Sequence, residues 1–455
     1  QEYPTIQAGV DAGVPGDLVL VSPGVYREEV TITTPSVVVR GVDRNTTIID
    51  GEFVRGNGIV ALADGVAVEN LTARHALLNG FFWSGVTGWR GSWLTAVNNG
   101  DYGIYAFDSR DGVFEHSYAS GSPDAGFYVG QCKPCRALLL DVVAERNALG
   151  YSGTNASDVV IASSTFRQNR VGIVPNTLDT ELLPPQGDTR IVANVIADNA
   201  EASAPTLSLE AAAFGNGVLL TGGERNVVER NLIVGHPLHG VLVAPMIDRH
   251  YWTARGNVVR DNDIRGSGRA DVAVAGPWSS DNCAARNGDG PVAPTFLTLL
   301  GGCDRRVLAT GFDLVPAVAL LWRGERAKRG DVAAGDWKTQ PAPPPQANMP
   351  GAESAPARPA VRVLERMAFN ADTAALPATA AAYRTRGAAP WSLARLVFGG
   401  ASMWWTLAIP LWGIGALVAG MRSGRLARGA VQLLAALAVT LALVLAGGWW
   451  YGGRG

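Results

Sequence analysis

Phe82, Tyr105 and Tyr128 recur at intervals of 23 residues, and so do Asp101 and Asp124. If the interval is one turn of a repeating fold, equal positions stack about 4.8 Å apart along one sheet. Asp108, Glu115, His116 and Gln131 fall in the same stretch. Aromatic rings with carboxylates, amides and imidazole suit a sugar-binding groove, in which rings pack on pyranose faces and polar groups bond hydroxyls. The expected ligand set is therefore Phe82, Tyr105, Tyr128, Asp108, His116 and Gln131. The competing reading is a structural aromatic ladder shielded by a loop. Catalysis has weaker support. Glycoside hydrolysis needs two carboxyl groups about 5–9.5 Å apart, and Asp101 with Asp124 meets the lower bound, but acids in adjacent turns often only cap those turns. A calcium-dependent lyase needs an acidic cluster and a base, and only Asp101, Asp124 and Arg110 loosely match. No cofactor is required by the sequence.

His236, His239, Met246 and His250 lie close in sequence and form a weak candidate for a soft copper site. Cys132-Lys-Pro-Cys135 and the pair Cys283 and Cys303 suit two local disulfides in an oxidising compartment. A redox role for Cys-x-x-Cys would place the first Cys at a helix N-terminus, and a zinc role would require further ligands at matching spacing.

The element that positions these groups is announced by glycine. Gly58, Gly80, Gly103, Gly126, Gly150, Gly172, Gly217 and Gly240 are separated by 22, 23, 23, 24, 22, 45 and 23 residues. The long gap reads as two turns with a degraded copy between them. This period is too short for helical-pair repeats and too long for heptads, and the Leu frame of leucine-rich repeats is missing. It fits one coil of a right-handed parallel β-helix. The residues after each Gly (Ile59, Phe81, Ile104, Phe127, Tyr151, Ile173, Val218 and Val241) should point inward, and the next column, which includes Phe82, Tyr105 and Tyr128, outward. A second strand recurs in each coil, as in Gly65-Val-Ala-Val-Glu-Asn and Asn226-Val-Val-Glu-Arg-Asn, and Asn70, Asn231 and Asn262 are expected to form turn ladders. Ile6 and Val10 suit a short capping helix, followed by a buried strand at Leu18–Val21.

The run Thr5-Ile6-Gln7, then Pro15-Gly16-Asp17, Val19, Val21, Pro23-Gly24 and Tyr26 resembles the start of the pectate-lyase-like right-handed β-helix superfamily. That superfamily holds polysaccharide lyases, hydrolases and epimerases, and the carbohydrate-binding and sugar-hydrolysis domain of the NosD copper-maturation protein. The stretches GDYGIYAFDSR, YASGSPDAGFYVGQC, GYSGTNAS and GIVPNTLDTELLPPQGDTR are similar to actinobacterial membrane-anchored β-helix repeat proteins of unassigned function. The resemblance implies the fold over about two-thirds of the chain and leaves the activity open among these chemistries.

The expected organisation is a cap and first coils at 1–50, β-helix repeats at 51–276, an irregular cap region at 277–340 anchored by Trp278, Cys283, Cys303 and Trp322, and a Pro/Ala-rich tether at 341–390. Residues 177–215 interrupt the period with a protruding loop from Leu182 and an Ala/Glu-rich stretch of helical character at Ala200–Ala213, and Leu364–Arg386 is expected to be partly helical. Met403–Met421 and Ala430–Trp450 are uncharged and long enough to cross a bilayer. Trp404, Trp405, Trp449, Trp450 and Tyr451 gather at one end, and Arg422, Arg425 and Arg428 sit in the connector. The positive-inside rule then puts the β-helix and the C-terminus outside, with a signal peptide removed before Gln1. A net charge of −2 without a clustered basic face argues against nucleic acid. The functional expectation is a membrane-anchored binding or scaffold module for envelope glycan or a neighbouring membrane protein complex. The alternatives are a polysaccharide lyase or hydrolase, and a NosD-like copper-site maturation factor; whether the chain is an enzyme stays open.

Overall fold

The computed structural model describes residues 2–207, 210–294, 303, 314–377 and 402–452. Three parallel sheets wind into a solenoid: sheet A with 11 strands, sheet B with 10 and sheet C with 11 among the described residues. Each coil visits A, B and C in turn, and equivalent strands stack in register, as Ile104↔Phe127 and Tyr105↔Tyr128 do in sheet C.

The glycine column has a steric cause. A Cβ at Gly103 would lie 2.6 Å from the carbonyl oxygen of Gly126, and one at Gly217 would lie 2.6 Å from that of Gly240. Each coil therefore needs a residue without a side chain where the chain enters sheet C. The column after it points inward as expected: Phe81, Ile104, Phe127, Tyr151, Ile173, Val218 and Val241 are fully buried. The 45-residue gap is one coil and not two, because Ile173 pairs directly with Val218 and the additional residues form insertions at the corners. The expected helical stretch in the second insertion reduces to a single 3-10 turn at Glu210–Ala213.

Asparagine ladders bind the turns. In one, the Oδ1 of Asn231 accepts from Asn194 and that of Asn262 accepts from Asn231, each with both backbone and side-chain donors. A second runs from Asn147 through Asn169 to Asn199. Asn70 is not in this column. It aligns with Arg230, one residue earlier, in a left-handed corner conformation at φ 55°, and its amide bonds the carbonyl of Gly41.

The N-terminal helix α1 (Ile6–Ala12) begins where the Thr5 hydroxyl accepts from Ala8 N, and it buries Ile6 and Val10 over the first coil. The Leu18–Val21 strand is only partly covered, since it is the edge of sheet A and Leu20 is 42% exposed. At the other end the sheets continue past Gly276, through Cys283–Ala285 and Val292–Ala293. The region beyond is more ordered than its composition implies: α2 (Val315–Lys328) is a 14-residue helix. Trp278 and Trp322 are not anchors, being 73% and 43% exposed.

The Pro-rich segment is not a free tether over its described part. It docks across the outer face of sheet A, where Arg40 donates to the carbonyls of Ala355 and Pro356 (2.6 and 3.0 Å) and Arg44 to that of Ala347 (3.0 Å). Arg90 bonds the carbonyl of Arg358 (2.7 Å), and Ala360 N donates to Gly65 O (2.8 Å). Further on, Arg230 holds the carbonyls of Ala371 and Ala374, and Arg190 pairs with Asp372. Ala360 and Val363 are buried in an apolar seam with Val38, Ala67 and Val113. Only a 3-10 turn at Leu364–Arg366 represents the helical character expected there; residues 378–390 lie outside the described residues.

Two apolar helices, α3 (Ser402–Arg422) and α4 (Leu426–Gly452), form a hairpin. Both are long and apolar enough to cross a membrane. Gly413 backs onto Leu433 and Ala436, and Gly420 onto Gly429, so small residues set the close approach. Trp405 and Trp450 pack with Val315 and Ala319 of α2 and with Leu238 of the solenoid. The helix α2 is thus a wedge between the β-helix and the hairpin.

Candidate functional site on sheet C

Phe82, Tyr105 and Tyr128 stand in one outward column of sheet C, placed by the strands Phe81–Ser84, Ile104–Phe107 and Ala125–Gly130. Phe82 and Tyr105 stack face to face, with centroids 4.7 Å apart and planes 9° from parallel. Tyr102 stacks on Tyr105 at 4.4 Å and lies 4.9 Å from Tyr128. The rings are therefore spent largely on one another.

The three positions also differ in cover. Phe82 and Tyr105 are half-exposed, whereas Tyr128 is 1% exposed. Its hydroxyl is held by both carboxylate oxygens of Glu181, at 2.6 and 2.8 Å, from the loop after the strand Val171–Asn176. That loop is pinned elsewhere: Asn155 donates to the carbonyls of Leu178 and Glu181, Leu182 N donates to the Gln131 side chain, and Lys133 reaches the carbonyl of Pro185. Beyond Tyr128 the outer column continues as Val174, Leu219 and Leu242, all buried. Ala213 and Leu320 pack into the same apolar cluster. The outer face of sheet C is roofed from Tyr128 to the last coils and partly open at Phe82 and Tyr105.

Beside the open stretch lie the acids. Asp101 and Asp124 occupy adjacent turns, with Asp124 N donating to Asp101 O at 3.2 Å. Tyr102 donates to Asp124 Oδ2 at 2.8 Å. Burial holds Asp124 well above the ordinary carboxyl range, and the nearby negative charges of Glu210 and Asp101 push the same way. Burial raises Asp101 to about 6, and its carboxylate forms no hydrogen bond or ion pair with any described residue. Glu181 is pushed to about 7 by burial, against the opposing bond from Tyr128. Burial thus brings Asp101 and Glu181 closer to neutral pH than ordinary carboxyl groups.

Asp108 and Gln131 flank the opposite end of the same strands, Asp108 exposed and Gln131 half-buried under the Leu182 loop. His116 is not part of this surface. It follows the sheet A strand Arg110–Glu115 at the corner leading to sheet B, stacks on Trp93 (4.4 Å) and bonds Asp141 at 2.7 Å, which raises its pKa. Tyr102, Glu181 and Glu210 escaped the sequence reading. Tyr102 immediately precedes a repeat glycine and was within reach of it, but Glu181 and Glu210 sit in insertions that carry no period.

The proposed copper ligands do not converge. His236 continues the second asparagine ladder, 3.2 Å from Asn199, and burial lowers its pKa to about 3. His239 is buried between Asn216 and Arg269. His250 is exposed and bonds Asp179, while Met246 lies in a two-stranded hairpin with Trp252. No group of three or more His, Cys, Asp or Glu suited to a metal ion occurs among the described residues. Cys132 is disulfide-bonded to Cys135 and Cys283 to Cys303.

Residues 79–245 match the family model described as "Right handed beta helix region". No curated protein matches the chain. Among solved structures, the A-module of the mannuronan C-5 epimerase AlgE6 from Azotobacter vinelandii is similar at 15% identity and a TM-score of 0.42, covering 63% of this chain and 90% of that one. An alginate lyase from Paenibacillus sp. str. FPU-7 gives 15% and 0.39, over 63% and 94%. The periplasmic alginate epimerase AlgG gives 12% and 0.44, over 61% and 73%. These are likenesses of fold alone. Its three stacked parallel sheets, with the match over residues 79–245, give the solenoid of this chain the right-handed parallel β-helix fold.

Proposed function

We propose that the chain is a membrane-anchored, extracytoplasmic β-helix that works as a rigidly mounted binding module, with envelope glycan as its ligand. The observation that carries this reading is selective cover. Sheet A is crossed by the chain's own C-terminal strap and most of sheet C is roofed, while Phe82, Tyr105, Asp101 and Asp108 are left at least partly accessible. Anchoring rests on α3 and α4. Only 17% and 22% of their most apolar windows are buried, so the apolar surface of Leu411, Trp412, Val431 and Leu434 needs lipid to cover it. Arg422, Arg425 and Arg428 mark the cytoplasmic end, opposite the wedge of α2. The disulfides fit the outer compartment.

A second reading, a polysaccharide lyase or hydrolase, draws on Asp101 and Asp124, two neighbouring carboxyls with raised pKa values. Asp101→Asn separates the two. A binding module keeps most of its glycan affinity, because the amide still bonds hydroxyls, whereas an enzyme using this acid loses turnover by orders of magnitude. Topology is tested with Asp188→Cys and Ser423→Cys on intact cells. A membrane-impermeant maleimide should label the first and not the second; the reverse pattern overturns the orientation, and labelling of both overturns the anchoring.

A further inference from the structure

We infer that the open stretch of sheet C engages the end of a carboxylate-free glycan chain, and neither the middle of a polymer nor a polyuronate. The inference rests on the glycan reading above and narrows its substrate class.

The first argument is that the site is blind. The outward column runs Val60, Phe82, Tyr105, Tyr128, and its exposure is confined to Phe82 and Tyr105: Val60 is buried before them and Tyr128, capped by Glu181, after them. Past that point Val174, Leu219 and Leu242 are buried, so a ligand lying along the sheet cannot continue over the later coils. Phe82 and Tyr105 are one strand spacing, about 5 Å, apart. A polymer lying along the solenoid needs both ends of the column open, and this column is covered at both.

The second argument is charge. Asp101 lines the stretch and forms no ion pair with a Lys or Arg among the described residues. Asp108 adds a further carboxylate at the exposed edge. A uronate would bring a like charge into a half-buried, weakly screened surface, which is unfavourable at short range. Sugar hydroxyls or amines meet acceptors in Asp101 and Asp108 and a hydroxyl in Tyr105.

The test uses the full chain in lipid nanodiscs and measures the affinity of soluble oligosaccharides of increasing length. The probes are β-linked N-acetylglucosamine, glucosamine and galacturonate series. The expected result is binding of the first two, with affinity levelling beyond about two units, and at least tenfold weaker binding of galacturonate. Affinity that climbs with length in the unaltered chain, or galacturonate binding as tight as the others, overturns the inference and leaves the glycan reading standing. Binding of none of the three series overturns both.

Discussion

Sheets A and C are built from the same coils, yet their outer faces are covered by opposite means. On sheet A the cover is the chain's own strap, held by arginines that grip main-chain carbonyls, and beneath it lies a charge network: Arg40 pairs with Glu69 at 2.6 Å and Arg90 pairs with the same carboxylate. On sheet C the cover is an apolar roof supplied by Ala213 and α2, ending in the Glu181 latch, and Asp101 and Asp124 beneath its edge form no ion pair with a Lys or Arg among the described residues. A buried charge with a fixed partner makes a clasp, whereas unpaired carboxyls in a half-buried surface leave bonding capacity unspent. On the proposed function, the first face serves mounting and the second takes a ligand.

The contrast can be broken most forcefully at Glu69. Glu69→Ala leaves Arg40 and Arg90 facing each other without a counter-ion and should cost about 3–5 kcal/mol, read as a large fall in thermal midpoint. A change within error would mean that the strap's carbonyls alone satisfy both guanidinium groups. Next in size is Arg40→Ala, which removes the grip on Ala355 and Pro356. Residues 341–377 should resist protease in the parent and be cut readily in the variant; equal cutting would restore a swinging tether.

A smaller effect concerns pH. The folded pKa of Glu181, about 7, lies above its ordinary value of 4.5. The folded state thus binds this proton more tightly than the unfolded state. The stabilisation is complete below about pH 4.5 and is lost as pH rises through 7, so the amide protection factors of residues 177–186, corrected for the intrinsic pH dependence of exchange, should fall between pH 5 and 8. Glu181→Gln should flatten that fall, while the protection factors of sheet A amides hold steady over the same range. The smallest effect is Tyr105→Ala. It forfeits stacking on Phe82 and Tyr102 worth about 1 kcal/mol, and a loss as large as that of Glu69→Ala would show that the column is structural throughout.

The solenoid was legible because its geometry imposes a residue type. Each coil must present Gly where the next carbonyl approaches, as at Gly103, so the period is written in the sequence. The inward and outward columns followed from alternation once the glycines set the phase. The insertions defeated the same logic: without a steric requirement of their own, they made one coil look like two and hid Glu181. His116 was misplaced because a coil turns through three faces, so a residue 11 positions after Tyr105 lies at another corner. The strap was misread for a further reason. Proline-rich composition reports what a segment does in isolation, whereas its docking depends on Arg40, Arg44 and Arg90 bonding carbonyls, and any residue supplies a carbonyl. The aromatic column was found, but that its rings face one another is a matter of side-chain torsion, which spacing does not encode.

The central claim is that the β-helix is mounted on its membrane hairpin and does not swing from it. The most direct measurement is the distance distribution between spin labels at Asp188→Cys on the solenoid and Ser423→Cys in the hairpin connector, with the full chain in nanodiscs. The account predicts one narrow distance population, which broadens when Arg40→Ala is added. A broad distribution in the otherwise unaltered chain would contradict it.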